Sequence, residues 1–407
     1  MNRLSTPVLG RPQIQDWVAK ELTGLYSGAE VSASRFVGGQ AAADSALESF
    51  DADGYARRRN EVWPPHRQGA SRLSPYIRHG LITLRRAWDH VQGAPAQDAS
   101  KFTDELLWQE YARHLYARCA SSTRRSLRFA IEEFGEATSA HPWRGEARCL
   151  DETWGELMRD GWITNQQRMW LASHWAVRLR LGWRDGEDLF FRHLLDGSRA
   201  ANRLGWQWTV GALTGKPYGF SRWQVNKRAP GLCVTCPMEK SCPIESWPPE
   251  IEPRPRGTVD PRMRRDPALE QTAGPRTVQP TGKPEAVWIT AESLGDEDPA
   301  LRANPELPAI FVFDEPLLAS LRLATIRLTF LAECLADLGQ RREVQVWRGQ
   351  PTEVLAGIPL AATFTPVPGW RRRADALSLV EIHPWPWLKA PHAGPVTSFT
   401  SWARARS

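Results

Sequence analysis

The feature that most limits the fold is a change of period along the chain. From Ala41 to about Trp223, apolar residues recur at three- and four-residue spacing, in Ala41–Phe50, Thr83–Val91, Asp104–Cys119, Asp151–Asp160, Gln166–Leu181 and Glu187–Leu195. Such spacing lines one face of a helix, and strand signals are scarce there, so the segment reads as all-α. From Glu245 to Glu285, Pro, Arg, Gly and Thr replace nearly all aliphatic residues, the composition of an extended or disordered linker. Beyond it, short apolar runs starting at Ala286, Ala309, Val344 and Ala361 alternate with helical patterns at Leu317–Leu338 and Thr352–Ala356. Alternation of strand and helix argues for a parallel sheet. The expected fold class is multidomain α and α/β. Its parts are a lead-in over 1–40 with one short helix at Gln13–Leu25, an α-helical domain over 41–244, a disordered linker over 245–285, and a small doubly wound α/β domain over 286–407.

With 407 residues and 42% hydrophobic content, the chain can bury sizeable cores. No apolar run is long enough to cross a bilayer, and the N-terminus MNRLSTPVLGRP lacks a secretory core. A cytoplasmic monomer with no membrane partner is expected. A net charge of +6 and a pI near 9.1 suit a polyanionic partner, and the basic residues are nearly all Arg, which makes bidentate phosphate contacts. Genomic base composition explains the same bias equally well. The 20 tryptophans are unusual on either reading.

The densest chemistry lies between Trp183 and Trp208, where a carboxylate (Asp196), an amide (Asn202) and three indoles share two helical runs. Carboxylates and amides are rarely buried without a partner, so this mixture suits a redox-active aromatic cofactor better than core filling. The motifs W-R-x-G-E from Trp183, D-G-x-x-A-x-N from Asp196 and G-W-Q-W from Gly205 resemble the FAD-binding domain of photolyases and cryptochromes. The resemblance runs from about Phe36 to Trp223 and implies a photolyase-type helical domain. It implies that Tyr55, Ser71, Leu73 and Ser74 hold the phosphates and ribityl chain of FAD, with Ala70 where the family usually has Thr. It also implies that Trp162 lines the pocket, that Arg168 and Asp196 form the ion pair beside the flavin ring, and that Asn202 faces flavin N5. Ser198 stands where the family has a second Asp. Trp206 and Trp183 match the first two members of the electron-transfer chain; Trp143, Trp154 and Trp170 are candidates for the third.

The run DELLWQEYARHL from Asp104 is similar to the family's lesion-facing helix, which implies that Glu105 bonds the thymine edge and Trp108 packs against a flipped base. These two residues, three apart, share a helical face; Gln109 replaces the family's Arg. The motif W-x-x-N-x-x-R-M from Trp162 adds Asn165 and Met169. Asn and Gln, where six-four enzymes place histidine, favour cyclobutane dimers. The pieces VWIT…GDEDPAL, PAIFVFDE and VQVWRGQPTEVL resemble the α/β domain that photolyases carry first, so the domain order is reversed here, as a circular permutation would produce.

Cys233, Cys236 and Cys242 form C-x2-C-x5-C. Thiolates so close together in a cytosolic protein suggest a metal site. The helix after Cys149 resembles the one after the lone cysteine of iron–sulfur photolyases, which implies Cys149 as fourth ligand to a 4Fe–4S cluster; zinc is the alternative. Cys119 and Cys334 are expected as buried thiols. The implied function is light-driven repair of cyclobutane pyrimidine dimers in UV-damaged DNA by electron transfer from reduced FAD. The other readings are a cryptochrome-like blue-light photoreceptor and a nucleic-acid-binding iron–sulfur protein without flavin. No antenna chromophore can be named.

Overall fold

The computed structural model describes residues 2–131, 143–248 and 259–405. The expected helices form close to their sequence limits, because each has an apolar face and a defined end. Helices occupy Gln40–Glu48, Leu84–His90, Ala96–Cys119, Arg148–Asp160, Asn165–Ser173, Trp183–His193 and Arg199–Thr209. The longest follows Pro95 at once. Arg148–Asp160 stops where Gly161 turns left-handed at φ 63°. Thr164 and Gln167 then start the next helix with a reciprocal capping box. The apolar period of Gln166–Leu181 conceals a break: after Ser173 the chain widens into a π-turn at His174–Arg178.

Nine strands occur among the described residues: β1 (Asn2–Leu4), β2 (Tyr26–Ser27), β3 (Gln279–Pro280), β4 (Ala286–Ile289), β5 (Ala309–Asp314), β6 (Leu323–Ala324), β7 (Val344–Gly349), β8 (Leu360–Thr363) and β9 (Leu379–His383). Seven form one sheet in the order β1-β7-β5-β4-β8-β9-β3, and β2 and β6 pair separately. The inner five strands are parallel; β1 and β3 close the two edges antiparallel. The chain winds outward from β4 in one direction and then in the other, the strand order of a doubly wound sheet. The long helical pattern at Leu317–Leu338 is two helices, Glu315–Leu321 and Thr325–Leu338, because Arg322 takes a left-handed conformation at φ 49° between them.

Two segments depart from the expected organisation. The lead-in packs on the sheet: β1 pairs with β7, and Trp17 of the helix Arg11–Glu21 meets Phe313 with ring centroids 5.8 Å apart. Gly38 then passes so near the helix Thr325–Leu338 that a Cβ would lie 2.2 Å from the Phe330 carbonyl. Part of the expected linker is also ordered into the fold. Residues 249–258 lie outside the described residues, but Pro261–Met263 form a 3-10 turn, Leu269–Ala273 a short helix, and β3 an edge strand. Met263 and Asp266 are buried there. Polar ties hold the segment, chiefly Asp266 to Arg118, and an apolar-period reading has no access to them.

One apolar core runs from Tyr55, Leu73, Phe102 and Trp162 into Val287, Phe311 and Phe330, so the helical and sheet parts share it. A second gathers Trp143, Trp154, Trp170, Trp175 and Trp206 with Cys149 and Cys233. Among the described residues no helix is long and apolar enough to cross a membrane.

At the ends of β8 and β9, Asp298 is buried, and its Oδ1 accepts bonds from the Ala300 and Leu301 amides and the Thr363 hydroxyl. Burial lifts its carboxyl from 3.8 to about 6 against these bonds. A group held more protonated in the fold than in the unfolded chain favours the fold at low pH, and that contribution is lost as pH rises through about 6. Asp298→Asn keeps an Oδ1 acceptor and removes the titration. Denaturant unfolding at a series of pH values is expected to show a flatter profile for the variant, which gains up to roughly 3 kcal/mol over the parent by about pH 8.

Candidate functional site

The polar centre of the helical part is the turn at Asp196 and Gly197, between the helices Trp183–His193 and Arg199–Thr209. The Leu195 amide bonds the Gly161 carbonyl at 2.8 Å and ties this turn to the loop that carries Trp162. Arg168 reaches Asp196 with Nη2–Oδ2 at 2.7 Å, and its Nε donates to the Ile163 carbonyl at 3.1 Å. The two side chains are 27% and 7% exposed, so the carboxylate is the more deeply buried partner. The structure therefore brings these two expected partners together.

Two further arginines close on the same turn. Arg78 Nε and Arg327 Nη2 both donate to the Gly197 carbonyl, at 3.2 and 3.1 Å. Arg327 comes from the helix Thr325–Leu338 of the sheet part and also bonds the Phe191 carbonyl. Burial, and then the neighbouring Arg78 charge, push the Arg327 guanidinium down to about 9, with Asp196 opposing. Neither residue was among the expected site residues. The one sequence signal for Arg327 is a lone charge in the apolar opening of TIRLTFLAECL; Arg78 had none.

Asn202 donates to both the backbone carbonyl and the carboxylate of Glu187, each at 2.8 Å. Glu187 is held in turn by Arg199 at 2.6 Å and Arg203 at 3.5 Å, so the amide is oriented by a buried ionic cluster. The Ser198 hydroxyl caps the following helix by accepting from the Ala200 amide at 3.2 Å. Ser74 accepts from Trp162 Nε1 at 2.9 Å, which joins two expected pocket residues. Ser71 bonds only weakly, to the Leu73 amide at 3.5 Å, and Leu73 is fully buried.

Several buried polar atoms here have no protein partner among the described residues: Asp196 Oδ1, Arg78 Nη1, Arg72 Nε and Trp206 Nε1. Buried groups left unpaired are costly, and such sites are where a ligand's polar atoms belong. Guanidiniums gathered at the Asp196 turn, of which Arg78 is also paired with Glu292 at 2.8 Å, and an oriented amide on the following helix fit a ligand that carries both anionic oxygens and ring N–H groups. FAD is such a ligand.

Tyr55, expected on the cofactor, donates to Glu105 Oε2 at 2.5 Å, and Arg59 holds Oε1 at 2.6 Å. Burial and then the Glu105 charge raise the Tyr55 hydroxyl far above its ordinary range. Trp108 follows Glu105 by one turn, is 41% exposed, and stacks one face on Phe399 at 4.2 Å with an 8° interplanar angle. Asn165 is exposed at the first turn of its helix and Met169 is half-buried. No hydrogen bond or ring contact joins Glu105 or Trp108 to Asn165 or Met169 among the described residues.

Trp206 is buried over Gly186, where a Cβ would come within 2.2 Å of the indole. Trp183 is also buried, and the Arg184 guanidinium lies 5.2 Å from its ring; among the described residues it makes no ring contact with Trp206. Trp170 stacks on Phe220, and Trp208 lies half-exposed against Tyr218.

The four expected metal-site cysteines converge. Cys149, Cys233, Cys236 and Cys242 line one small pocket, with Arg222 and Glu239 among the other lining residues. Burial first, then the charges of the other three thiols, raise the Cys149 thiol. Among the described residues no His, Cys, Asp or Glu side chains stand close enough in threes to grip a single metal ion. Cys119 and Cys334 are buried away from this site, as expected.

Residues 102–225 match the family model described as the FAD binding domain of DNA photolyase. The chain is similar to the deoxyribodipyrimidine photo-lyase of Vibrio cholerae, 31% identical over 167 residues that cover 38% of this chain and 36% of the relative. A Thermus thermophilus protein of the same name is 31% identical over 166 residues, covering 37% of this chain and 38% of the relative. The matched region thus spans little more than a third of the length of these relatives. Among solved structures, a cryptochrome from Synechocystis sp. PCC6803 is 20% identical with a TM-score of 0.43, covering 50% of this chain and 46% of that one. A class III photolyase from Agrobacterium tumefaciens is 24% identical with a TM-score of 0.35, covering 49% and 41%.

Proposed function

We propose that this chain binds FAD in its helical part and uses light to repair cyclobutane pyrimidine dimers in UV-damaged DNA. The observation that carries the reading is the Arg168–Asp196 pair. Its Asp196 Oδ1 is buried and unpaired among the described residues, on the turn before the helix that carries the oriented Asn202, within a segment similar to the FAD-binding domain of DNA photolyase. Arg168, Asp196, Ser198 and Asn202 would hold the flavin ring, with Trp162 beside them and Tyr55, Ser71, Leu73 and Ser74 toward the phosphates. Reduced FAD would supply the electron that opens the dimer under illumination. Glu105 would meet the thymine edge, tuned by Tyr55 and Arg59. Trp108 would offer its open face to the flipped base, with Asn165 and Met169 supplied by the helix Asn165–Ser173.

Illumination of the reduced protein with thymine-dimer DNA is expected to restore intact thymines, followed by loss of dimers in the DNA. A flavin-bearing protein that leaves the dimers untouched in light would instead act as a photoreceptor.

On the same reading Cys149, Cys233, Cys236 and Cys242 ligate a 4Fe–4S cluster that braces the end of the helical part. Cys149→Ser is expected to remove iron and acid-labile sulfide together and to loosen the segment from Cys233 to Ile244, measured by elemental analysis and limited proteolysis. Zinc without sulfide in the parent protein would favour the alternative. The helical part precedes the sheet in the chain, and we read this as a circular permutation of the photolyase order.

A further inference from the structure

We infer that Phe399, from the short helix Phe399–Arg404 that follows the sheet part in the chain, is a positioning residue for Trp108: it closes one face of the indole and leaves the other as the seat for a flipped base. The inference rests on the lesion-facing role proposed above for Glu105 and Trp108. Both carboxylate oxygens of Glu105 are held, by Tyr55 and Arg59. Trp108 has no hydrogen bond among the described residues to do the same, and at 41% exposed an indole on a helix surface would otherwise sample several rotamers. Rings do the holding. Phe399 lies face to face with Trp108, at 4.2 Å between centroids and 8° between planes. Tyr111 abuts the same indole edge-on, at 5.7 Å and 82°. It meets Phe399 edge-on as well, at 6.0 Å and 82°, so the three rings form one corner.

A positioning ring must itself be fixed, and the helix that carries Phe399 is tied to Ala96–Cys119, the helix that carries Trp108. Ser398 and Ser401 start it with a reciprocal capping box. Trp402 is fully buried and donates its indole N–H to His114 Nδ1 at 2.7 Å. Tyr111 donates to the Val396 carbonyl just before the helix, at 2.9 Å. Lys389 Nζ donates to the carbonyls of Trp402 and Ala403, at 3.2 and 2.6 Å. Trp108, Tyr111 and His114 follow one another at three-residue spacing, so neighbouring turns of one helix present all three to the Phe399 segment. The stack is therefore built on the same helix as Glu105. A flipped base meets an indole already turned toward it and adds a third layer to the pair. Without Phe399, the indole would have to be ordered at the moment of binding, which weakens an interaction about two- to tenfold for one such side chain.

The test uses the full chain, with flavin content and unfolding midpoint measured for each variant. Phe399→Leu keeps apolar bulk and removes the ring; Phe399→Tyr keeps the ring. Phe399→Leu is expected to bind thymine-dimer DNA about two- to tenfold more weakly than the parent. It should bind undamaged DNA equally well and repair with the parent's yield once saturated. Phe399→Tyr is expected to restore the affinity. The double variant Trp108→Ala/Phe399→Leu should bind no more weakly than Trp108→Ala, because Phe399 acts only through the indole. A readout that needs neither DNA nor flavin is fluorine NMR of fluorotryptophan-labelled protein, with the Trp108 line assigned by its loss in Trp108→Phe. That line should shift in Phe399→Leu and return toward the parent position in Phe399→Tyr. Parent-like dimer affinity in Phe399→Leu, an equal loss on undamaged DNA, or a Trp108 line that stays in place overturns the inference. A parent protein with no preference for dimer DNA, in which the Trp108 line still moves as expected, overturns the lesion reading and the seat with it, and leaves only the stack.

Discussion

Arg168→Ala is expected to yield a protein that no longer retains FAD and whose helical part is less stable by about 3–5 kcal/mol. Asp196 is 7% exposed and bonded to Arg168 at 2.7 Å. Removing the cation leaves a carboxylate that is largely out of water and has lost its direct partner. Removing one member of a buried pair costs more than removing both, because the survivor keeps its desolvation cost. The double variant Arg168→Ala/Asp196→Asn should therefore be more stable than Arg168→Ala alone, a coupling that a double-mutant cycle reads directly. Arg168→Lys keeps the charge but not the fork that serves Asp196 and the Ile163 carbonyl together, so an intermediate loss is expected. Flavin absorbance per protein and denaturant unfolding check both halves. Full flavin retention in Arg168→Ala would remove the pair from the cofactor site.

The second large effect concerns stability alone. Arg118 and Asp266 form an ion contact at 3.2 Å with side chains 1% and 2% exposed. The same guanidinium donates to the carbonyls of Arg262, His392 and Gly394. One side chain thus binds the helix Ala96–Cys119, the segment after residue 259 and the C-terminal stretch before Phe399. Arg118→Ala removes the ionic partner of the buried Asp266 carboxylate, which keeps the Ala268 amide on Oδ1, and leaves several carbonyls without their donor; a loss of about 3–5 kcal/mol follows. Proteolysis should begin near Asp266 and His392, and Trp108 should become more accessible as Phe399 loosens from it. An unfolding midpoint equal to the parent's would show that these segments are held some other way.

These cases mark how far the sequence could be read. The helices from Gln40 to His193 were legible because apolar residues recur along them at helical spacing, even where buried polar residues such as Glu110 and Gln167 share the face, and β4, β5, β7 and β8 because their runs are wholly or mainly apolar. β9 was not, since LVEIH is half-buried and mixes charge with aliphatic residues; β1, three residues long, carries no pattern at all. The segment from Asp260 to Ala273 looked disordered because Arg118 fixes it, and an ion pair across more than a hundred residues leaves no trace in local composition. At the site, Cys233, Cys236 and Cys242 were legible through their spacing, and Cys149 and the Arg168–Asp196 pair only through the family resemblance of their motifs. Arg78 and Arg327 were not, since the fold alone brings them to Gly197.

The contact from Arg327 to the carbonyls of Phe191 and Gly197 has an evolutionary consequence. Hydrogen bonds between side chain and backbone are indifferent to the order in which the two parts are translated, so a gene rearrangement that joins them in either order keeps this lock intact. What it cannot tolerate is independent drift. Position 327 and the turn at 196–197 should be inherited as a unit, and grafting a foreign sheet onto this helical part should succeed only where the donor brings an arginine to the same place.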